Sequence, residues 1–190
     1  MSPLDVTLTS ERLILRPLHE GDADELLATY GDPEVVRYWS GAPWTERARA
    51  VDYIASGATD IEAGTAMRLG VELKETGRCI GQVSLFNFDV QNRRCDMGYA
   101  LNRGHWGHGY MGEALRVLLE FGFGALGLNR MEADIDPRNA ASLRTVERLG
   151  FVQEGLLRER WLVNGEVCDT ALYGLLLRDW LARGHADDRT

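Results

Sequence analysis

The chain has 190 residues, 45% hydrophobic and 26% charged, the balance of an ordinary soluble globular protein with length enough for one sizeable core. Its 21 Lys and Arg against 29 Asp and Glu give a net charge of −8, which lacks the basic footprint of a nucleic-acid binder, so no nucleic-acid partner is expected. No apolar run approaches the roughly 18 residues of a membrane span, and Asp5, Glu11, Arg12 and Arg16 interrupt any leader of signal-peptide type. The expectation is a cytoplasmic protein with no membrane partner, built as a single domain over residues 1–183 with a polar tail over 184–190.

Glu11–Pro17 (ERLILRP) reads as a first strand stopped by Pro17. Asp22 caps a short helix carrying Ala23, Leu26 and Leu27, and the Gly31-Asp32-Pro33 turn ends it. Pro33 opens another short helical piece with Val35, Val36 and Tyr38. Trp39 to Trp44 is loop-like, and Thr45 with Arg47 begins a helix that runs to Ala55 or beyond. The period then changes to that of strands over Ala66–Leu73, Cys79–Phe88 and Arg94–Leu101, whose short connections imply antiparallel neighbours. A helix from Gly109 to near Leu126 follows, with Met111, Leu115, Leu118, Leu119 and Gly122 on one face. Next come a strand at Arg130–Asp136 and a helix at Ala140–Leu149, closed by a left-handed Gly150. Phe151–Leu157 and Trp161–Val163 are strand-like, Asn164-Gly165 is a hairpin signal, and Val167–Leu177 is the last strand. This order implies a mixed α/β fold with a partly antiparallel sheet. Cys79, Cys95 and Cys168 lack the spacing of a disulfide framework or a zinc site, and the four histidines have no ligand spacing, so no metal is expected.

Chemistry concentrates at Gly107-His108-Gly109-Tyr110-Met111-Gly112, where a strand gives way to a helix. Helix amino termini carry unpaired N–H groups and partial positive charge, and glycine lets a phosphate approach the backbone. The spacing also satisfies the dinucleotide fingerprint, with Glu132 or Asp134 about 20 residues on. Against NAD(P), five residues, Asn102 to Trp106, separate the strand from the turn, and the strand continues an antiparallel meander. Asn139-Ala-Ala-Ser142, before Leu149-Gly150-Phe151, suits either a helix cap or ligand contact.

Asp96-Met97-Gly98-Tyr99, Trp106 to Ala114, Asn139-x-x-Ser142 and Leu149-Gly150-Phe151 together resemble the GNAT superfamily of N-acetyltransferases. ERLILRP, Glu154-Gly155 and Asn164-Gly165 with Asp169 add to the match, which is nearest the ribosomal-protein amino-terminal acetyltransferases of the RimJ/RimL type. Trp106 and Met111 depart from the superfamily's pyrophosphate signature, leaving backbone N–H groups to carry the phosphate contact. The resemblance implies a GNAT fold, a largely antiparallel sheet of about seven strands with a central splayed parallel pair flanked by helices. It implies acetyl-CoA as co-substrate, held by residues 107–112, by Tyr99, Ala100 and Leu101, and by Asn139 and Ser142. Ser142 is the expected proton donor to the leaving thiolate and Asp96 the expected general base, with Glu159 and Asp169 as fallbacks. Arg144 or Arg148 could meet phosphate near the adenosine, though a solvated helix face suits both. The acceptor, a small amine or a protein amino terminus, would meet Trp39 and Trp161, with Tyr38 and Trp44 nearby. An NAD(P) oxidoreductase and a CoA-binding module without turnover stay open as alternatives, and so does a homodimer.

Overall fold

The computed structural model describes residues 6–163 and 165–187. Leu13 and Leu15 alternate with Ile14 and Arg16, so β2 (Leu13–Pro17) buries both leucines completely on one face, and Pro17 ends it. A two-residue strand, β1 (Leu8–Thr9), pairs antiparallel with it. Asp22 precedes α1 (Ala23–Tyr30), yet its carboxylate does not cap that helix. It accepts from the Arg16 guanidinium at 2.7 and 2.9 Å and from the His19 N–H at 3.0 Å, which outcompetes a cap.

Residues 33–38 form consecutive turns where a short helix was expected, with Val35 and Val36 both donating to the Asp32 carbonyl. So short a piece gains too few hydrogen bonds to offset helix nucleation. α2 (Arg47–Ala63) ends at Gly64, whose φ of +66° is the usual left-handed stop.

The meander follows as β3 (Ala66–Leu73), β4 (Arg78–Asp89) and β5 (Arg94–Leu101), each antiparallel to the one before. α3 (Tyr110–Gly124), β6 (Arg130–Ile135) and α4 (Ala140–Leu149) come next, and Gly150 closes α4 at φ +97° as expected. The two strand-like runs after Phe151 are one strand, β7 (Val152–Val163), with a register shift between Leu157 and Trp161. Glu159 sits in that bulge at φ +54°, its N–H donating to the Asp169 carboxylate at 2.8 Å. Of the expected hairpin pair, Asn164 lies outside the described residues and Gly165 has φ +84°. β8 (Glu166–Leu176) returns and runs directly into α5 (Leu177–Asp187), a helix that the polar sequence there did not announce.

The described residues form one eight-stranded sheet in the order β1-β2-β3-β4-β5-β6-β8-β7, with β5 and β6 its single parallel pair. On one face Leu115, Leu118 and Leu119 of α3 pack against Leu13, Leu69 and Leu85 with no exposure. Ala100 belongs to a second cluster with Leu26, Tyr30 and Ala50, whereas Met97, Tyr99 and Leu101 belong to the first. Strand alternation therefore places α1 and α2 on the opposite face of β5.

Candidate active site

β5 and β6 pair over only three positions, Arg94 with Arg130, Cys95 with Met131 and Asp96 with Glu132. Beyond these each strand follows its other neighbour, β5 with β4 to Leu101 and β6 with β8 to Ile135, and the two diverge. The Asn102 N–H bonds the Ile80 carbonyl of β4, so by alternation Ala100 and Gly98 also turn their backbone groups toward β4. Tyr99 and Leu101 have the other phase and present theirs to the gap, where nothing in the sheet pairs them. The Leu101 carbonyl is taken by the Trp106 indole N–H at 2.8 Å, which ties the following turn to the end of β5. Of the three residues expected to hold the pantetheine arm, Tyr99 and Leu101 thus face the gap and Ala100 does not.

A cleft of about 110 Å³ occupies the gap, walled by Tyr99 on one strand, by Asp134 on the other and by Asp136 just past its end, with Asn139 and Ser142 at its α4 side. Tyr38 and Trp39 close it from the turn region. The Asn139 side chain accepts from the Ser142 N–H at 3.2 Å, so it caps α4 and also lines the cleft. The Tyr99 hydroxyl donates to the Ser142 carbonyl at 3.4 Å, and burial pushes its pKa up to about 12, so it remains a proton-bearing group.

At the end of β5 the glycine turn opens α3. Gly107 and Gly109 have φ of +80° and +79°, a region that side-chain-bearing residues seldom enter, and Gly109 is the helix N-cap. Helix geometry leaves the first-turn N–H groups unpaired, and a Cβ built on Gly112 would meet nothing within 4 Å, so the ground above the turn is open. These features fit a pyrophosphate. Met111 is only 9% exposed and belongs to the core, so it offers its backbone alone. The His108 and Tyr110 rings stack with centroids 5.6 Å apart.

The turn is braced by a residue that sequence reasoning did not assign, Arg12. Its guanidinium donates to the His108 carbonyl at 3.0 Å and to Glu113 at 2.7 Å, and lies 4.6 Å from the centre of the Tyr110 ring. Burial works against the Glu113 charge, but bonds from the Ser10 hydroxyl and from the Arg12 N–H and guanidinium hold its pKa below the usual value.

Asp96 sits at the foot of the splay, where the strands still pair, and does not line the cleft. Burial raises its pKa, opposed by a 2.7 Å bond from the Asn87 amide and reinforced by the neighbouring Glu132. The carboxylate on the cleft wall without a cationic side chain bonded to it is Asp134, which accepts from the Trp161 indole at 3.3 Å and from the Thr170 hydroxyl. Desolvation raises its pKa, while Trp161 and the more distant Arg160 oppose the rise. Asp136, also on the wall, is held low by Arg138. Trp161 touches the cleft wall through Asp134, the Asp169 carboxylate is taken by the Glu159 N–H at the β7 bulge, and neither Glu159 nor Asp169 lines the cleft. Arg144 and Arg148 lie on the exposed side of α4, where the Arg148 guanidinium donates to the Arg144 carbonyl. Among the described residues no group of three or more His, Cys, Asp and Glu side chains is placed to hold a metal.

The Acetyltransferase (GNAT) domain family matches residues 12–152 of this chain. The chain is 38% identical to the uncharacterized N-acetyltransferase p20 of Bacillus licheniformis, over 92% of its own length and 98% of the relative's. It is 28% identical to the [ribosomal protein uS5]-alanine N-acetyltransferase of Escherichia coli, over 92% and 93% of the two chains. The spermidine N-acetyltransferase of Vibrio cholerae, solved with CoA and spermine, has the same fold at a TM-score of 0.80 and 23% identity, over 90% and 99% of the chains.

Proposed function

The chain belongs to the GNAT acetyltransferase family, and from that premise we propose that it transfers the acetyl group of acetyl-CoA to a primary amine by direct attack within a ternary complex. One observation carries this reading: the parallel ladder stops after three positions, so unpaired β5 backbone groups border a cleft, and the end of β5 is tied through Trp106 to a glycine turn at a helix amino terminus. That arrangement suits an extended thioester whose pyrophosphate rests on the N–H groups of residues 107–112, with Gly107, Gly109 and Gly112 giving the backbone clearance and His108 and Tyr110 flanking it. A dinucleotide fold would place its turn straight after a strand in a parallel sheet, and β5 is antiparallel to β4.

Acetyl-CoA supplies an activated acyl carbon, and the chain's own groups do the rest. The β5 backbone N–H groups of Tyr99 and Leu101 stabilise negative charge developing on the thioester oxygen. Asn139 holds the start of α4 so that Ser142 faces the thiol end, and the Ser142 hydroxyl gives a proton to the departing sulfur. An amine arrives mostly protonated at neutral pH and must lose a proton to attack. We assign that proton to Asp134, which lines the cleft, rather than to Asp96 at the foot of the splay, which does not. Trp39 and the Trp161–Asp134 pair border the acceptor's approach. The acceptor class spans small amines and protein amino termini, as the activities named for the Escherichia coli and Vibrio cholerae relatives illustrate.

Calorimetry with acetyl-CoA, followed by thiol release across small amines and amino-terminal peptides, tests the proposal. Binding with amine-dependent release is the expected result. Binding with silence across every acceptor would reduce the chain to a CoA-binding module.

A further inference from the structure

Beside the reactive cleft lies a larger cavity of about 510 Å³, on the face of the sheet that α1 and α2 cover. Its floor is made of four aromatic rings. Tyr30 stacks on Trp44 with centroids 4.5 Å apart, Trp39 meets Tyr30 edge-on at 5.3 Å, and Tyr53 meets Trp44 at 5.3 Å. The hydroxyls of Tyr30 and Tyr53 both donate to the side-chain oxygen of the buried Gln82, so their polar ends are already satisfied beneath the floor. What these two tyrosines present to the cavity is ring carbon, and Ser40, Arg49, Asp52 and Ser56 make up the polar part of its lining. Arg49 lies over Trp44 at 5.4 Å, and Asp52, on the same lining, makes no ion pair among the described residues.

The two cavities share one residue, Trp39, which lines both. Their sizes differ in a way that divides the labour. The cleft at 110 Å³ has room for little more than the reacting end of an acceptor, whereas 510 Å³ falls within the range of about 300–1,000 Å³ usual for small-molecule sites.

We propose that the aromatic cavity receives the non-reacting body of the acceptor, and that this acceptor is a primary amine tethered to an aromatic or similarly bulky apolar group. The inference rests on the acetyl-transfer reading and adds the substrate class to it. Polyamines and amino sugars are dense in groups that need hydrogen bonds, and a floor whose hydroxyls are already spent would leave many of those groups unpaired. A planar apolar body loses no such bonds and gains ring contact on several sides. Asp52 adds a negative charge that favours an ammonium as it enters. In the reaction the ammonium first gives one proton through Asp134 to solvent, and the free amine nitrogen bonds the acyl carbon. The carbon–sulfur bond breaks, Ser142 protonates the departing thiolate, and the second proton lost by the nitrogen restores the Ser142 hydroxyl. An arylalkylamine and a peptide with an aromatic first residue present the same chemistry.

The test uses the intact chain with 2-phenylethylamine, a peptide beginning with Phe, ethanolamine, putrescine and glucosamine. Thiol release should give 2-phenylethylamine or the peptide a kcat/KM at least about tenfold above the three polar amines, and the first two arms separate the sources. Trp39→Ala, which also opens the reactive cleft, should lower the aromatic value at least about tenfold more than it lowers the ethanolamine value, with Trp39→Phe restoring most of the difference. A preference for the polar amines, or an equal fall for all acceptors in Trp39→Ala, overturns the proposal. Calorimetric binding of 2-phenylethylamine to the CoA-loaded protein reads the cavity without turnover. Trp39-dependent binding with no acetylation keeps the cavity assignment and removes the transferase reading. Acetylation of polar amines alone does the reverse.

Discussion

At the scale of single residues, Asp134 combines two opposed effects. Desolvation against the cleft wall raises its pKa, so the folded protein holds that proton more tightly than the unfolded chain, where an aspartate titrates near about 3.9. Stability therefore declines as pH rises from the unfolded value through the higher folded one, and the ionised carboxylate is a net cost at neutral pH. Asp134→Asn should keep a bond from Thr170, unfold at a temperature no lower than wild type at pH 7, and lose roughly 10²–10³ in kcat. Asp96→Asn, changed at the foot of the splay, should lose far less and retain the acidic limb of the pH–rate profile. An unchanged profile in Asp134→Asn would return the base to Asp96. Arg12 acts at a different step, because it touches the His108 carbonyl and Glu113 and holds the turn in shape. Arg12→Ala should weaken acetyl-CoA binding by about tenfold in calorimetry, with kcat at saturating donor little changed.

At the scale of elements, the glycine turn and the splayed pair depend on each other. The Trp106 indole bond to Leu101 fixes where the turn starts, and the left-handed Gly109 fixes the direction in which α3 leaves it. Gly109→Ala forces a side chain into φ +79° and should cost about 1–2 kcal/mol in a denaturation experiment. It should also weaken acetyl-CoA binding beyond anything the stability loss explains, since the protein remains folded in the assay. The elements around this device were legible where the signal is local. β3, β5 and α4 have their expected bounds because alternation, the Asn139 cap and the Gly150 stop are written within a few residues. α5 was not legible, since no cap or breaker separates it from β8, and its burial comes from Trp180 against Phe123, far away in sequence. The bulge that joins two apparent strands into β7 needs Asp169 from the partner strand, which a pattern within β7 cannot reveal. The site divides in the same way. Residues 107–112, Asn139 and Ser142 announce themselves by spacing. Arg12 finds Glu113 across 101 residues, and Asp134 finds Thr170 across 36, so neither pairing leaves a local trace.

At the scale of the whole molecule, the proposed reaction asks a chain of net charge −8 to bind a donor that is itself polyanionic. On the proposed reading, acetyl-CoA would approach against the far field and then be held by backbone N–H groups and a helix terminus, whose attraction acts only within a few ångström. The acceptor, an ammonium at neutral pH, is drawn by the same field that opposes the donor. Added salt screens both long-range effects, with a Debye length that falls from about 30 Å at 0.01 M to about 8 Å at 0.15 M. The two substrates should therefore respond with opposite signs. Raising the salt from about 0.01 to 0.15 M should lower the KM for acetyl-CoA or leave it level, and raise the KM for a cationic amine by about two- to fivefold. Initial rates measured over a grid of both substrates at the two salt concentrations separate the slopes. Parallel slopes of the sign expected for an anion-binding protein would mean that a local cluster of cationic side chains, and not the backbone of the turn, holds the phosphates. In that case Arg12 would be the first residue to examine, because its guanidinium already lies at the rim of the turn and keeps 43% of its side-chain surface exposed.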